Sequence, residues 1–168
     1  MALVDTVEVR QPARDDVVGR EFTVAGVGGG FEGTLQVRVT DGDREVARTF
    51  ATSRAGGVGA GDFTVEVRLD ERVAGGTRLV VRVSGDRGDE GAGSADAARV
   101  RVTCFPRATG FVVHEVERGD TVTAILHGLA DLTSADVDDV AAANPEVTDP
   151  DRIDVGQRLR IPLLPAER

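Results

Sequence analysis

The chain has 168 residues, 40% of them hydrophobic and 4% aromatic, with six Phe and neither Trp nor Tyr. That length accommodates one domain or two small ones, and no run of about 18 apolar residues is present to cross a membrane. Twenty basic residues, all Arg, against 29 acidic ones give a net charge of −9, which disfavours nucleic acid and anionic membrane surfaces as partners, while the single Cys104 excludes an internal disulfide.

The opening MALVDTVEVRQP has neither a charged n-region nor a long apolar h-region, so it does not read as a signal peptide. Two locations follow: the cell wall or surface if a leader upstream of Met1 drives export, or the cytoplasm if none does. From residue 5 to 104 the hydrophobic period is two. Strands are expected near Val7–Arg10, Glu21–Ala25 and Glu45–Ala51. Alternation is plainer in Thr34–Val39 (TLQVRV), Asp62–Leu69 (DFTVEVRL) and Arg99–Val102 (RVRV), and partial in Arg78–Val83 (RLVVRV). One face of each strand is buried while Arg, Glu and Thr face water, as in antiparallel sheets covered on one side. Turn signals separate them at Asp41-Gly42-Asp43, Gly56–Gly59, Gly75-Gly76 and the Gly-, Asp- and Ser-rich stretch Ser84–Ser94. About seven short strands in some 100 residues predict a β-sandwich over residues 1–104. Without a Cys pair and Trp it is not of the antibody type.

Residues 105–111, with Pro106 and Gly110, are expected to be a linker to a second domain at 112–168. There Val112–Val116 predicts a strand. Val122, Ile125, Leu126 and Leu129 recur at helical spacing within Thr121–Ala130, and Val137, Val140 and Ala141 do so within Asp136–Ala143. Pro145 ends the second helix through Asn144, and Leu159–Pro162 closes as a strand. Gly119 permits a sharp turn out of the first strand. Asp120 or Thr121 is expected to cap the first helix and Asp136 the second. The fold class is therefore an all-β sandwich followed by a small α+β domain of strand, helix, helix, strand.

Motifs in this second half carry a family likeness. The run His114-x-Val116-x-x-Gly119-Asp120-Thr121-Val122-x-x-Ile125, then Val140-x-x-x-Asn144-Pro145, then Pro150-x-x-Ile153-x-x-Gly156-Gln157-x-Leu159-x-Ile161-Pro162, resembles a LysM domain over about 50 residues. The resemblance implies a βααβ fold that binds N-acetylglucosamine-containing glycans such as peptidoglycan or chitin. It places the sugar in a shallow groove formed by Gly119, Asp120, Thr121 and Val122 from the first loop and Asn144, Pro145, Pro150, Asp151 and Ile153 from the second. Backbone N–H groups at a helix start suit acetamide carbonyls and hydroxyls. His127–Ala135 is a few residues longer than the family pattern. No aromatic follows Phe111, so affinity is expected to be weak, resting on backbone polar groups and on aliphatic patches such as Val122 and Ile153.

The first half is similar to the immunoglobulin-like domain of bacterial spore-germination proteins through Val9 and Pro12, Phe22-x-Val24-x-Gly26, Phe31-Glu32-Gly33-Thr34-Leu35 and Gly61-x-Phe63. That resemblance implies a seven-stranded sandwich without known catalysis, and the pairing suits a bacterial envelope protein.

Sharper chemistry finds little support. His114 and His127 have no acidic or Cys cluster at ligand spacing, so neither a zinc site nor a nucleophilic triad is expected, and no cofactor. Asp41-Gly42-Asp43 and Asp86–Glu90 lack the spacing of a known calcium loop and read as turns. Arg87-Gly88-Asp89 and Arg118-Gly119-Asp120 are chance tripeptides in a Gly- and Asp-rich chain. Cys104 is expected to be a buried small hydrophobe. Residues 1–104 hold 14 Arg and 17 acids, and residues 105–168 hold 6 Arg and 12 acids. The more acidic second half favours a neutral glycan or a protein over teichoic acid. The expected function is non-catalytic: peptidoglycan anchoring, with the sandwich as spacer or docking module for other envelope or assembly proteins. The alternative is an intracellular scaffold of the kind found in phage tails and contractile injection baseplates. A wall-hydrolysing enzyme would need an acid–base pair that the sequence does not place.

Overall fold

The computed structural model describes residues 7–56, 59–85 and 97–166. Its strands in the first half are β1 (Glu8–Gln11), β2 (Asp16–Val18), β3 (Glu21–Gly28), β4 (Thr34–Asp41), β5 (Arg44–Thr52), β6 (Gly61–Arg68), β7 (Thr77–Gly85) and β8 (Ala98–Cys104). The seven expected strands are all present and mostly longer than the alternating runs. Strand β2 is additional: three residues within Arg-Asp-Asp-Val-Val-Gly-Arg offer no alternation to read. The expected turn at Asp41-Gly42-Asp43 is the β4–β5 hairpin tip, with Gly42 at φ 56° and Arg44 reaching back to Asp41 at 3.6 Å. Gly57, Val58 and the Asp86–Glu90 and Arg87–Asp89 motifs lie outside the described residues.

Two sheets form an immunoglobulin-like sandwich, one of three strands in the order β1-β3-β6 and one of five in the order β2-β8-β7-β4-β5. Alternation becomes burial directly. On β4, Leu35, Val37 and Val39 have no exposed surface; on β7, Leu79, Val81 and Val83 are likewise buried, and Val24 and Val67 serve the other sheet. The intervening residues face out. In the five-stranded sheet the register sets Arg38 opposite both Arg48 and Arg82, and Gln36 opposite Phe50 and Ser84. The Phe31-Glu32-Gly33 element is a tight 3-10 turn leading into β4, in which Glu32 and Gly33 take the left-handed region at φ 54° and 77°. Gly33 accepts the Ser53 N–H at 2.7 Å, which ties the turn to the end of β5.

Contacts divide the chain into two compact units, of which the second gathers Asp15–Arg20, Arg72–Arg78 and Thr103–Arg168. It contains β9 (Phe111–Glu115), α1 (Val122–Gly128), α2 (Val137–Ala143) and β10 (Arg158–Pro162). Strands β9 and β10 pair antiparallel, with Leu159 opposite His114 and Ile161 opposite Val112. A core of Val116, Val122, Ile125, Val140, Val147, Leu159 and Ile161 fills the space between helices and hairpin. Burying each such side chain is worth about 1.5–3 kcal/mol. A second cluster of Val17, Phe105, Ala143 and Leu164 joins residues from four separate places in the chain, and the Phe105 N–H donates to Val18 O at 2.9 Å. Residues 105–111 thus include a Phe that is 3% exposed. Cys104 is fully buried, and burial pushes its thiol up to about 11, with Arg20 opposing in part, so it is an unreactive core residue.

Candidate functional site

The loop from β9 to α1 turns at Gly119, whose φ of 94° suits glycine. Thr121 is the N-cap of α1: its Oγ1 accepts the Ala124 N–H at 3.1 Å. Asp120 does something the sequence did not announce. Its Oδ2 accepts the Glu117 N–H at 2.9 Å and lies 2.8 Å from His114 Nε2 on β9. The Glu117 amide first, and His114 second, hold the Asp120 carboxyl below its ordinary value. At neutral pH the carboxylate is therefore ionised and can only accept, so the proton between the pair sits on His114 Nε2. The turn is pinned to the strand it leaves. A clue existed in the spacing, since residues six apart across a tight Gly turn come back into reach of one another.

The second loop follows α2. Asp136 caps that helix as expected, in a reciprocal box: Asp139 N–H donates to Asp136 Oδ1 at 2.9 Å, and Asp136 N–H to Asp139 Oδ2 at 3.1 Å. Asp139 is nonetheless raised above its ordinary value, chiefly by desolvation and then by the Asp136 and Asp138 charges. At the far end of α2, Asn144 is fully buried. Its Nδ2 donates to Val140 O and Arg160 O, and its Oδ1 accepts the Arg160 N–H, each at 2.7 Å. With the amide committed in this way, Asn144 straps α2 to β10 and offers no free side-chain group to a ligand.

The remaining second-loop residues are placed differently. Pro145 and Asp151 are exposed, Pro150 and Ile153 half-buried. Asp151 N–H donates to Asp149 Oδ1 at 3.0 Å, and Asp154 N–H to Gln157 Oε1 at 3.0 Å, which fixes the loop's path. Two observations bring the loops together. Val116 N–H donates to Gln157 O and Val116 O accepts the Gly156 N–H, both at 2.8 Å. Val122 and Ile153 also pack into one hydrophobic cluster. Gly119, Thr121, Pro145 and Asp151 are exposed, whereas Val122 is only 3% exposed and belongs to that cluster.

The longer connection between the helices has its own anchor, which sequence reading missed. Thr133, 8% exposed, donates from Oγ1 to Pro162 O at 2.7 Å and accepts from the Leu164 and Ala135 N–H groups, each at 3.0 Å. Ser134 adds bonds to Leu164 O and Pro165 O. The extra residues are thereby tied down against the C-terminal segment.

Residues 114–162 match the LysM domain, and residues 6–89 match the immunoglobulin-like domain of bacterial spore germination, in the order expected from the motifs. The latter match covers half of the chain, and the chain belongs to that family. No curated protein matches it. Both families are binding modules, and a LysM domain in general serves to bind peptidoglycan or other N-acetylglucosamine-containing glycan and is typical of cell-wall-associated proteins. Among the described residues no helix is long and apolar enough to cross a membrane.

Proposed function

We propose that this member of the spore-germination immunoglobulin-like family is a non-catalytic wall-associated protein that holds peptidoglycan glycan in a shallow groove of its LysM region, with the sandwich acting as spacer or docking module. The observation that carries the reading is the joining of the two loops through Val116 with Gly156 and Gln157, and through the core cluster that contains Val122 and against which Ile153 packs. Within the groove the roles divide. Gly119, Thr121, Pro145 and Asp151 form the rim, Val122 and Ile153 the apolar floor, and Pro150 shapes the loop. Asp120 and Asn144 are positioning residues, since the first is engaged by His114 and Glu117 and the second is buried. Small and aliphatic residues let a sugar ring approach the backbone, and the affinity of one such site is weak.

Co-sedimentation of the full chain with insoluble peptidoglycan tests this. Retention is expected, with release by soluble N-acetylglucosamine oligomers and a marked drop in the double variant Pro145→Glu/Asp151→Arg at unchanged thermal stability. Equal recovery in the supernatant with and without peptidoglycan would overturn it. The intracellular-scaffold reading draws on the absence of any aromatic ring beyond Phe111. It predicts no glycan retention and co-purification with a large protein assembly.

A further inference from the structure

The outer face of the five-stranded sheet carries charge that the glycan reading leaves unused. Arg38 on β4 stands directly opposite Arg48 on β5 and Arg82 on β7, so three guanidinium groups share a row spanning about 10 Å. Strand β8 lies beyond β7, and its exposed Arg99 and Arg101 alternate with Val100 and the fully buried Val102, which sets them on the same face. Glu45, opposite Thr40, is the one acid at these outward register positions among the described residues. A chain of net charge −9 thus gathers five arginines on one sheet face.

Like charges directly opposite one another weaken a sheet. Glu45 relieves part of this: its carboxylate takes Arg38 Nε at 2.8 Å and Arg48 Nε and Nη2 at 2.9 Å. Arg82 has no such relief, for its Nε is buried without a hydrogen-bond partner among the described residues. Next to this row, Phe50 is 53% exposed, level with Gln36. Arginine beside an exposed aromatic is the composition that protein interfaces concentrate at their centres.

We propose that this face docks an acidic protein segment, whose carboxylates engage Arg82, Arg38 and the β8 arginines while an apolar side chain covers Phe50. Glu45 already displays the required chemistry, a carboxylate seated between two guanidinium groups. Phe50 favours a protein over a phosphate polymer, which has nothing apolar to set against it. The inference rests on the reading of the sandwich as a docking module and is independent of glycan binding.

The test is fluorescence anisotropy on the full chain with a labelled peptide of alternating Glu and Leu, its counterpart with Gln for Glu, and linear polyphosphate as competitor. The Glu peptide is expected to bind about tenfold or more tightly than the Gln peptide, and less tightly as salt rises. Phe50→Ala weakens it several-fold. Arg82→Thr weakens it too, yet raises Tm by about 2 °C because the opposed charge is gone, and leaves peptidoglycan retention unchanged. Equal binding of the two peptides overturns the proposal. So does a lower Tm for Arg82→Thr, which would make the row structural. Displacement by polyphosphate with no effect of Phe50→Ala overturns it in favour of a polymer site.

Discussion

Asn144 shows how one buried side chain can fix the end of a helix and the start of the loop that follows it. Its three 2.7 Å hydrogen bonds join the last turn of α2 to Arg160 on β10 in a place without solvent. Asn144→Ala removes them and leaves the part-buried Arg160 amide without its side-chain acceptor, at a cost of about 2–4 kcal/mol; urea unfolding measures it. Asp120 supports the other loop, and its contribution depends on pH. A carboxyl held below its ordinary value stabilises the fold above the unfolded-state value, near 4, and that stabilisation fades as pH falls through the lower folded-state value. Asp120→Asn should therefore lower Tm at pH 7, with the gap to the parent closing as the melt is repeated at progressively lower pH in the acid range. The sequence displayed the cap Asp136 and narrowed the other to Asp120 or Thr121, because a cap is a local event between residues three apart. It hid the role of Asn144, since a polar residue before a proline reads as surface and its burial depends on β10, sixteen residues away.

At the scale of elements, pattern and partnership differ in how far they could be read. Period-two alternation marked the plainest strands of the sandwich because β4, β6 and β7 each bury one face. It said nothing of pairing, and β2 escaped because three residues cannot alternate. The close approach of β1 to β3 illustrates what pairing demands: a Cβ on Gly26 would lie 1.9 Å from Glu8 O. Gly26→Ala must displace β1 from β3, and a loss of about 2 kcal/mol or more is expected, together with faster amide exchange along Glu8–Gln11. In the second unit, helix spacing, the Gly turn and the Pro stop were all legible, so the turn into α1 and the end of α2 lie where they were expected. The Thr133 strap was not, because its partners Pro162 and Leu164 are distant in sequence.

For the molecule as a whole, cooperativity follows from how the second unit is composed. Its cluster of Val17, Phe105, Ala143 and Leu164 draws on segments from both halves of the chain. Phe105→Ala is expected to cost about 3–5 kcal/mol, and hydrogen exchange should accelerate together at Phe105, Ala108 and Leu163, whose amides are bonded within this unit. Charge is also distributed unevenly, with residues 105–168 carrying twice as many acids as arginines, which disfavours a polyanion as the ligand of the proposed groove. The most direct test is retention of the full chain on purified peptidoglycan, compared with the Pro145→Glu/Asp151→Arg variant at equal folded stability. The parent should sediment with the wall and the variant should stay in solution; parent and variant behaving alike would contradict the account.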